Sequence, residues 1–240
     1  MSSEFVHRTR IKVCGLTREA DVDAAVEAGA DAIGFVLYDK SPRHVSAERA
    51  GVLARRLPPF VTPVVLLVNA DAALRQGALD AVPNALLQFH GDESADDCAA
   101  AARPFLRAAR MTPGMDLFAF AQRFAAAQAL LVDAHVEGYG GGGQVFDWSL
   151  LPQPGQQQAQ LALPLVLSGG LHADNVGEGI RRVRPWAVDV SSGVEVGKGL
   201  KDAMLMRRFC AAVRQADAEL ALQLASVPTP VNPPILAPAA

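Results

Sequence analysis

Eight short apolar runs alternate with polar, alanine-rich stretches along most of this 240-residue chain. Several runs are continuously apolar, which is typical of parallel strands covered on both faces. The stretches between them carry apolar residues at helical spacing, as at Leu205, Phe209 and Val213. Eight strand–helix units in about 200 residues predict an α/β protein with a single closed (β/α)8 TIM barrel, rather than an open dinucleotide-binding sheet. The eight runs are IKVCG (11–15), AIGFVL (32–37), VVLLVN (64–69), ALLQFHG (85–91), FLRAARM (105–111), ALLVDA (129–134), LPLVLSGG (163–170) and AVDVSSG (187–193).

The domain boundaries follow from where this alternation starts and stops. We predict that the barrel occupies residues 11–222, after a lead-in over residues 1–10 and before a disordered tail over residues 223–240. The tail contains SVPTPVNPPILAPAA, whose prolines and alanines do not support a regular element. Among the eight runs, FLRAARM is the least certain strand, because its residues also suit a helix.

Charge and cysteine content narrow the class of protein. The formal net charge is −3 and no basic run stands out, so neither nucleic acid nor an anionic membrane surface is an expected partner. The three cysteines are far apart and lack CxxC spacing, which favours a reduced compartment and predicts no metal site. The polar start and the lack of a long apolar stretch predict a cytoplasmic protein without a signal peptide or membrane span.

Cys14 is the first candidate for chemistry, because it closes the first run. The active face of a barrel is built at the carboxyl ends of its strands. Strand alternation puts Lys12 and Cys14 on the same, inward face. A nearby ammonium would lower the thiol pKa and make Cys14 a base or a nucleophile. The alternative is a small buried hydrophobic residue, which is the usual role of a free cysteine.

Two further polar residues close apolar runs. Asp133 ends the sixth run, where burial of a carboxyl group is costly without a role or partner. Partial burial would raise its pKa and suit it to donate a proton; the alternative is a cap or a salt bridge. His90 ends the fourth run, and we assign it only a minor role in the site, since such histidines are more often hydrogen-bonded structural residues.

Two more residues are expected near the substrate. Arg43, in SPRHVS after the second run, could bind a carboxylate with two hydrogen bonds, or it could be a solvated loop residue. Asp189 alternates onto the inner face with Ser191. We expect Asp189 to orient the site or to pair with Lys12.

Glycine-rich segments follow the sixth, seventh and eighth runs: GYGGGG (138–143), SGG (168–170) and SSG (191–193). Glycine lets backbone N–H groups approach an anion, and barrels often bind phosphate after strands 7 and 8. Tight turns are the alternative. The segments nevertheless predict a phosphate site, and its candidate residues are Gly141, Gly142, Gly143, Gly169, Gly170, Ser191, Ser192 and Gly193.

Taken together, the motifs resemble the phosphoribosylanthranilate isomerase family of tryptophan biosynthesis. The resemblance runs in family order from residue 11 to about residue 202 and omits the tail and the fifth unit. The segments that carry it are IKVCGLTREAD, ADAIGFVLYDKSPRHVS, LLQFHGDES, LLVDA, GGGGQVFDW, LSGGLHADNV and DVSSGVEVGKGLKD.

The resemblance implies a (β/α)8 barrel without a cofactor that carries out an Amadori rearrangement of a phosphorylated aminoaldose. It implies that Asp133 is the general acid, Cys14 the general base and Arg43 the ligand of the anthranilate carboxylate. One departure concerns the loop after the sixth strand, where Gly142 replaces the family's usual Ser or Thr. Oligomeric state stays open between monomer and homodimer.

Four alternative functions would require other residues at these positions. A histidine-pathway phosphoribosyl isomerase would be expected to place an aspartate where Cys14 stands, and indole-glycerol-phosphate synthase would require several strand-end Lys and Glu residues. A non-catalytic phosphate-binding barrel would need neither Cys14 nor Asp133. A thiol redox protein would need a second cysteine near Cys14.

Overall fold

A computed structural model describes residues 8–134, 146–155 and 160–226. Eight parallel strands close into a barrel in which each strand pairs with its neighbours in chain order. These strands are β1 Arg10–Cys14, β2 Ala32–Val36, β3 Thr62–Leu67, β4 Leu86–Phe89, β5 Phe105–Met111, β6 Ala129–Ala134, β7 Leu165–Leu167 and β8 Ala187–Val190. The main helices are α1 Glu19–Ala28, α2 Ala47–Ala54, α3 Ala72–Ala81, α4 Ala95–Ala99, α5 Leu117–Arg123, α6 Val176–Val183 and α7 Ala203–Ala225. The predicted (β/α)8 barrel is therefore confirmed.

All eight predicted strands form, including the uncertain run at 105–111. Its side chains alternate as a strand requires. Phe105 and Ala109 belong to the apolar layer between the sheet and the helices, whereas Leu106 and Ala108 belong to the barrel interior. Two-sided burial explains why the run is apolar on both faces apart from Arg107 and Arg110.

The floor of the barrel interior is apolar, and the next layer above it is polar. The floor consists of Val64, Leu106, Ala108, Ala129, Leu131, Val166 and Ala187. Because side chains on one face of a strand recur every two residues, the next inward positions toward the carboxyl ends include Lys12, Gln88 and Asp189. All three are buried. The fold thus gathers polar groups at the mouth of the barrel.

The two ends of the barrel domain differ from the predicted boundaries. Arg10 already belongs to β1, and Thr9 is fixed to the last helix by bonds of 2.9 and 2.6 Å from its N–H and hydroxyl to Asp217. Helix α7 continues through Ala225, three residues beyond the predicted limit. Residues 1–7 of the predicted lead-in and residues 227–240 of the predicted tail lie outside the described residues.

A short antiparallel hairpin follows β8 and was not predicted. A 3-10 turn over Ser192–Val194 leads into β9 Glu195–Gly197, which pairs with β10 Leu200–Lys201. The hairpin stands at the carboxyl end of the barrel, beside the loop after β2. Among the described residues, no helix is long and apolar enough to cross a membrane.

Candidate active site

The predicted pair between Lys12 and Asp189 is present in the buried mouth of the barrel. Lys12 Nζ donates to Asp189 Oδ1 at 2.7 Å, and the Ser168 hydroxyl donates to Asp189 Oδ2 at 3.2 Å. Burial opposes the charge on Lys12, but Asp189 and Cys14 outweigh it and raise the pKa of Lys12 to about 12. Lys12 is therefore a permanent cation whose charge is largely matched by Asp189.

Cys14 lies at the end of β1, and only 5% of its surface is exposed. Gly34 on the neighbouring strand makes room for it, because a Cβ there would come within 2.7 Å of the Cys14 Sγ. Burial raises the pKa of Cys14, and the lowering effects of Lys12 and Lys201 do not overcome it, in part because Asp189 adds a negative charge. The expectation of a lowered thiol pKa is wrong for the unliganded protein.

Asp133 lies beside two buried polar side chains, His90 and Gln88. Its Oδ1 accepts a bond from the Ala134 N–H at 2.8 Å, and its Oδ2 lies 3.2 Å from His90 Nε2. His90 Nδ1 lies 2.9 Å from Gln88 Nε2. With the amide placed this way, His90 accepts on Nδ1 and carries its proton on Nε2, the ring nitrogen nearer to Asp133. His90 thus contacts the predicted acid, and Gln88 is a partner that sequence reasoning missed.

Arg110 is a second residue that the sequence analysis missed. It pairs in register with Asp133 on the adjacent strand and alternates with Leu106 and Ala108, so it lies on the inward face. Arg110 forms an ion pair with Asp92, from the loop after β4. The sequence does show an arginine near the end of the fifth run, which could have indicated a site residue. It was overlooked because that run was the least certain of the eight predicted strands.

Arg43 is buried and paired, not solvated. Its Nε and Nη2 donate to the two carboxylate oxygens of Glu195 at 2.7 and 2.8 Å. Lys201 Nζ donates to the same carboxylate at 2.7 Å. The solvated-loop interpretation of Arg43 is therefore wrong, and Glu195 and Lys201, both on the unpredicted hairpin, join the site.

The glycine segments after β7 and β8 come together. Gly169 and Gly170 have φ angles of +83° and +62°, and a side chain at Gly169 would come within 2.7 Å of the Ala134 backbone N. A side chain at Gly193 would overlap the Leu171 carbonyl oxygen. The backbones of the two loops are thus in close contact, as a shared anion site requires.

Ser191 links the eighth strand to the first, because its hydroxyl donates to the Cys14 carbonyl oxygen at 3.1 Å. Ser192 and Gly193 lie in the 3-10 turn that follows. The remaining glycine candidates, Gly141, Gly142 and Gly143, lie outside the described residues. Within the described ranges, no group of three or more His, Cys, Asp or Glu residues could hold a metal ion.

The arrangement supplies acid–base chemistry around one opening. The acid candidate on β6 and the thiol on β1 are separated by β7 and β8, whose loops carry the glycine segments. A ligand anchored by an anionic group at those loops would reach Asp133 on one side and Cys14 on the other. An apolar patch lies next to Cys14 and consists of Val36, Leu66 and Val68, with Tyr38 packed on it. An aromatic ring could pack against this patch.

Comparison with known proteins shows the family of the chain. The family model for N-(5'-phosphoribosyl)anthranilate (PRA) isomerase matches residues 11–212. The chain belongs to this isomerase family. The N-(5'-phosphoribosyl)anthranilate isomerase of Methylibium petroleiphilum is 66% identical over 214 residues, which cover 89% of this chain and 98% of that protein. That of Leptothrix cholodnii is 64% identical over 211 residues, covering 88% and 93%.

Solved structures of phosphoribosylanthranilate isomerases share the fold. The Thermotoga maritima isomerase has a TM-score of 0.78 and 36% identity, covering 86% of this chain and 99% of that one. A family member in complex with reduced 1-(o-carboxyphenylamino)-1-deoxyribulose 5-phosphate has a TM-score of 0.75 and 34% identity, with the same coverage. That ligand combines a carboxylate, an aromatic ring and a phosphate.

Proposed function

We propose that this protein isomerises N-(5'-phosphoribosyl)anthranilate to 1-(2-carboxyphenylamino)-1-deoxyribulose 5-phosphate in tryptophan biosynthesis. The observation that carries the proposal is the pairing of a strand-end carboxyl, Asp133, with a strand-end thiol, Cys14, on either side of the glycine loops in a member of this family. We place the reaction in the cytoplasm and expect a monomer or homodimer that needs no cofactor.

The first step opens the ribose ring. Asp133, as a carboxylic acid, gives its proton to the ring oxygen, and the bond between that oxygen and C1' breaks. The anthranilate nitrogen supplies its electron pair to C1', so the intermediate is a cationic iminium. His90 Nε2 lies 3.2 Å from Oδ2, and we propose that its N–H group stabilises the carboxylate that Asp133 has become.

The second step removes the proton from C2'. The Cys14 thiolate, formed when the thiol loses its proton to solvent, takes the C2' proton. The C–H electrons form the C1'–C2' double bond, and the iminium electrons return to nitrogen. The resulting enolamine becomes the ketone when C1' gains a proton and the C2' hydroxyl loses one. Since burial raises the pKa of the free thiol, we assign the iminium a second role, in which its positive charge stabilises the thiolate at the moment it is needed.

Binding groups are available for each end of the substrate. The loops after β7 and β8, with Gly169, Gly170, Ser192 and Gly193, are proposed to hold the phosphate. Arg43 is proposed to bind the anthranilate carboxylate, while the patch around Val36 and Leu66 receives the ring. The apolar patch favours this substrate over an aminoaldose that carries a polar heterocycle, such as the histidine-pathway substrate.

A fluorescence assay tests the proposal. Phosphoribosylanthranilate is formed in situ from anthranilate and phosphoribosyl pyrophosphate, and its fluorescence loss is followed with and without the protein. We expect rapid loss with the wild type and at least a ~1,000-fold decrease in Cys14→Ala and Asp133→Asn, as for removal of a proton-transfer group. Cys98→Ala and Asp80→Asn, which alter a cysteine and an aspartate on outer helices, are the matched controls. Near-wild-type turnover in Cys14→Ala would refute the role of the thiol.

A further inference from the structure

The hairpin β9–β10 holds Arg43 in one fixed orientation. Glu195 begins the hairpin and takes the Nε–Nη2 edge of the guanidinium with both carboxylate oxygens. Lys201, at its end, donates to Glu195 Oε1 at 2.7 Å. The three side chains are 8%, 5% and 0% exposed, so the cluster is almost dry. Bidentate pairing of this kind fixes the plane of the guanidinium as well as its position.

The hairpin is itself fastened to the site at several points. Lys201 Nζ donates to the Ser191 carbonyl oxygen at 3.0 Å, and the Arg18 Nη2 donates to the Lys201 carbonyl oxygen at 3.0 Å. At the hairpin turn, a side chain at Gly199 would come within 2.7 Å of the Pro42 carbonyl oxygen. The hairpin therefore packs directly on the loop that carries Arg43, and the two cannot move independently.

The charges in this cluster do not balance. Arg43 and Lys201 set two cationic groups against the single carboxylate of Glu195; burial lowers the pKa of Lys201, whereas its contact with Glu195 favours the charged form. Burial opposes ionisation of Glu195, but Arg43 and Lys201 outweigh it and lower its pKa, so the carboxylate stays charged. The cluster therefore has one excess positive charge in a nearly dry setting, and one additional anionic group would neutralise it.

One edge of Arg43 remains for such a group. Glu195 uses Nε and one hydrogen of Nη2, which leaves the second hydrogen of Nη2 and both hydrogens of Nη1. Within the part of the chain that the structure describes, Nη1 has no hydrogen-bond partner. We call the Nη1–Nη2 side of the guanidinium its end-on edge. It can donate two parallel hydrogen bonds to the two oxygens of a second carboxylate.

From this geometry, and resting on the proposed function, we infer that Glu195 and Lys201 are positioning residues that aim the end-on edge of Arg43 at the substrate carboxylate. They make the site selective for a ligand with one carboxylate at this position. Glu195 sets the orientation of the guanidinium, and Lys201 keeps Glu195 charged and in place.

Two variants separate orientation from net charge. Glu195→Gln raises the charge of the cluster by one, whereas Lys201→Met lowers it by one. If charge alone governed binding, the first substitution would tighten carboxylate binding and the second would weaken it. If orientation governs binding, both weaken it, because Arg43 and Lys201 repel each other once Glu195 is neutral and Glu195 loses its second partner once Lys201 is gone.

The test uses two unreactive ligands and calorimetry. One is reduced 1-(o-carboxyphenylamino)-1-deoxyribulose 5-phosphate, and the other is the same compound without its carboxylate. We expect Glu195→Gln to weaken binding of the carboxylated ligand by about 10- to 100-fold and Lys201→Met by about 3- to 10-fold, as for loss of a charge-assisted hydrogen bond. Binding of the ligand without a carboxylate should change by less than ~3-fold, since it makes no use of Arg43.

The matched control is Asp23→Asn, because Asp23 accepts from Nε and Nη2 of Arg56 with both carboxylate oxygens, on the exposed surface. It should leave both affinities unchanged. Equal weakening of both ligands by Glu195→Gln, or tighter binding of the carboxylated one, would overturn the inference. Circular dichroism and a melting curve of each variant identify loss of fold, which would weaken both ligands alike. Wild-type turnover of phosphoribosylanthranilate is measured in parallel, so failure of the proposed function is seen separately.

Discussion

Gly34→Ala provides a sharp test of the proposed position of the general base. The added Cβ would lie 2.7 Å from the Cys14 Sγ and 3.0 Å from the Cys14 Cα. Both distances are shorter than the roughly 3.5–4.0 Å at which non-bonded heavy atoms are comfortable. Either the thiol or strand β1 must therefore move by about 1 Å, and overpacking of this kind costs about 1–3 kcal/mol of stability.

The consequence for catalysis should be larger than the consequence for stability. A displacement of about 1 Å in a reacting group can lower turnover by about 100-fold. We therefore expect kcat of Gly34→Ala to fall by at least ~10-fold, while its melting temperature falls by about 2–4 °C for each kcal/mol lost. Kinetics with phosphoribosylanthranilate and a thermal melt measure the two effects.

Two controls make this prediction specific. Gly77→Ala on α3 meets nothing within 4 Å, so it should stabilise the helix by up to ~1 kcal/mol and leave kcat unchanged. In a Cys14→Ala background, the stability cost of Gly34→Ala should shrink, because the closest clashing atom is gone. Wild-type kcat in Gly34→Ala together with a full stability cost would refute our placement of the thiol over the substrate.

Two further predictions concern the acid and the base. Because burial raises the pKa of Cys14 above its ordinary value, the ultraviolet absorbance of its thiolate, taken as the difference between the wild type and Cys14→Ala, should still be rising between about pH 7 and about pH 9; a plateau within this range would contradict this. Gln88→Met keeps the shape of the buried side chain but removes the hydrogen-bond partner of His90 Nδ1. We therefore expect kcat to fall by about 10-fold while KM stays within ~3-fold of the wild-type value. The control is Gln76→Met on the surface of α3, which should have no effect. Unchanged kcat in Gln88→Met would show that His90 needs no such partner.

Most of the fold was predictable because the strands are buried on both faces. Two-sided burial requires stretches such as residues 64–68 and 129–132 to be apolar throughout, and such stretches can be recognised in the sequence alone. The hairpin β9–β10 was missed for the opposite reason. Its strands are three and two residues long, Val196 is 71% exposed, and Glu195 and Lys201 are polar. What holds the hairpin in place is contact with residues far away in the chain.

In the candidate site, too, contacts that follow from the local strand pattern were predictable, whereas contacts between distant loops were not. The bond between Lys12 and Asp189 was predictable, because strand alternation put both side chains on the inward face. The pair between Arg43 and Glu195 joins residues 152 positions apart through two loops, so no local rule points to it. The pKa of Cys14 was assigned the wrong direction, since adjacency to Lys12 is visible in sequence whereas burial is not.

The bond from Thr9 to Asp217 has a consequence for the synthesis of this protein. Strand β1 needs β8 on one side and is fixed at its start by α7, so residues about 180 to 210 positions apart must meet before its surroundings are complete. A growing polypeptide on the ribosome makes Cys14 early but lacks Asp189, the partner of Lys12, until most of the chain has been translated. The thiol is therefore synthesised well before Asp189, Ser191 and Lys201, the late residues that complete its surroundings in the folded protein.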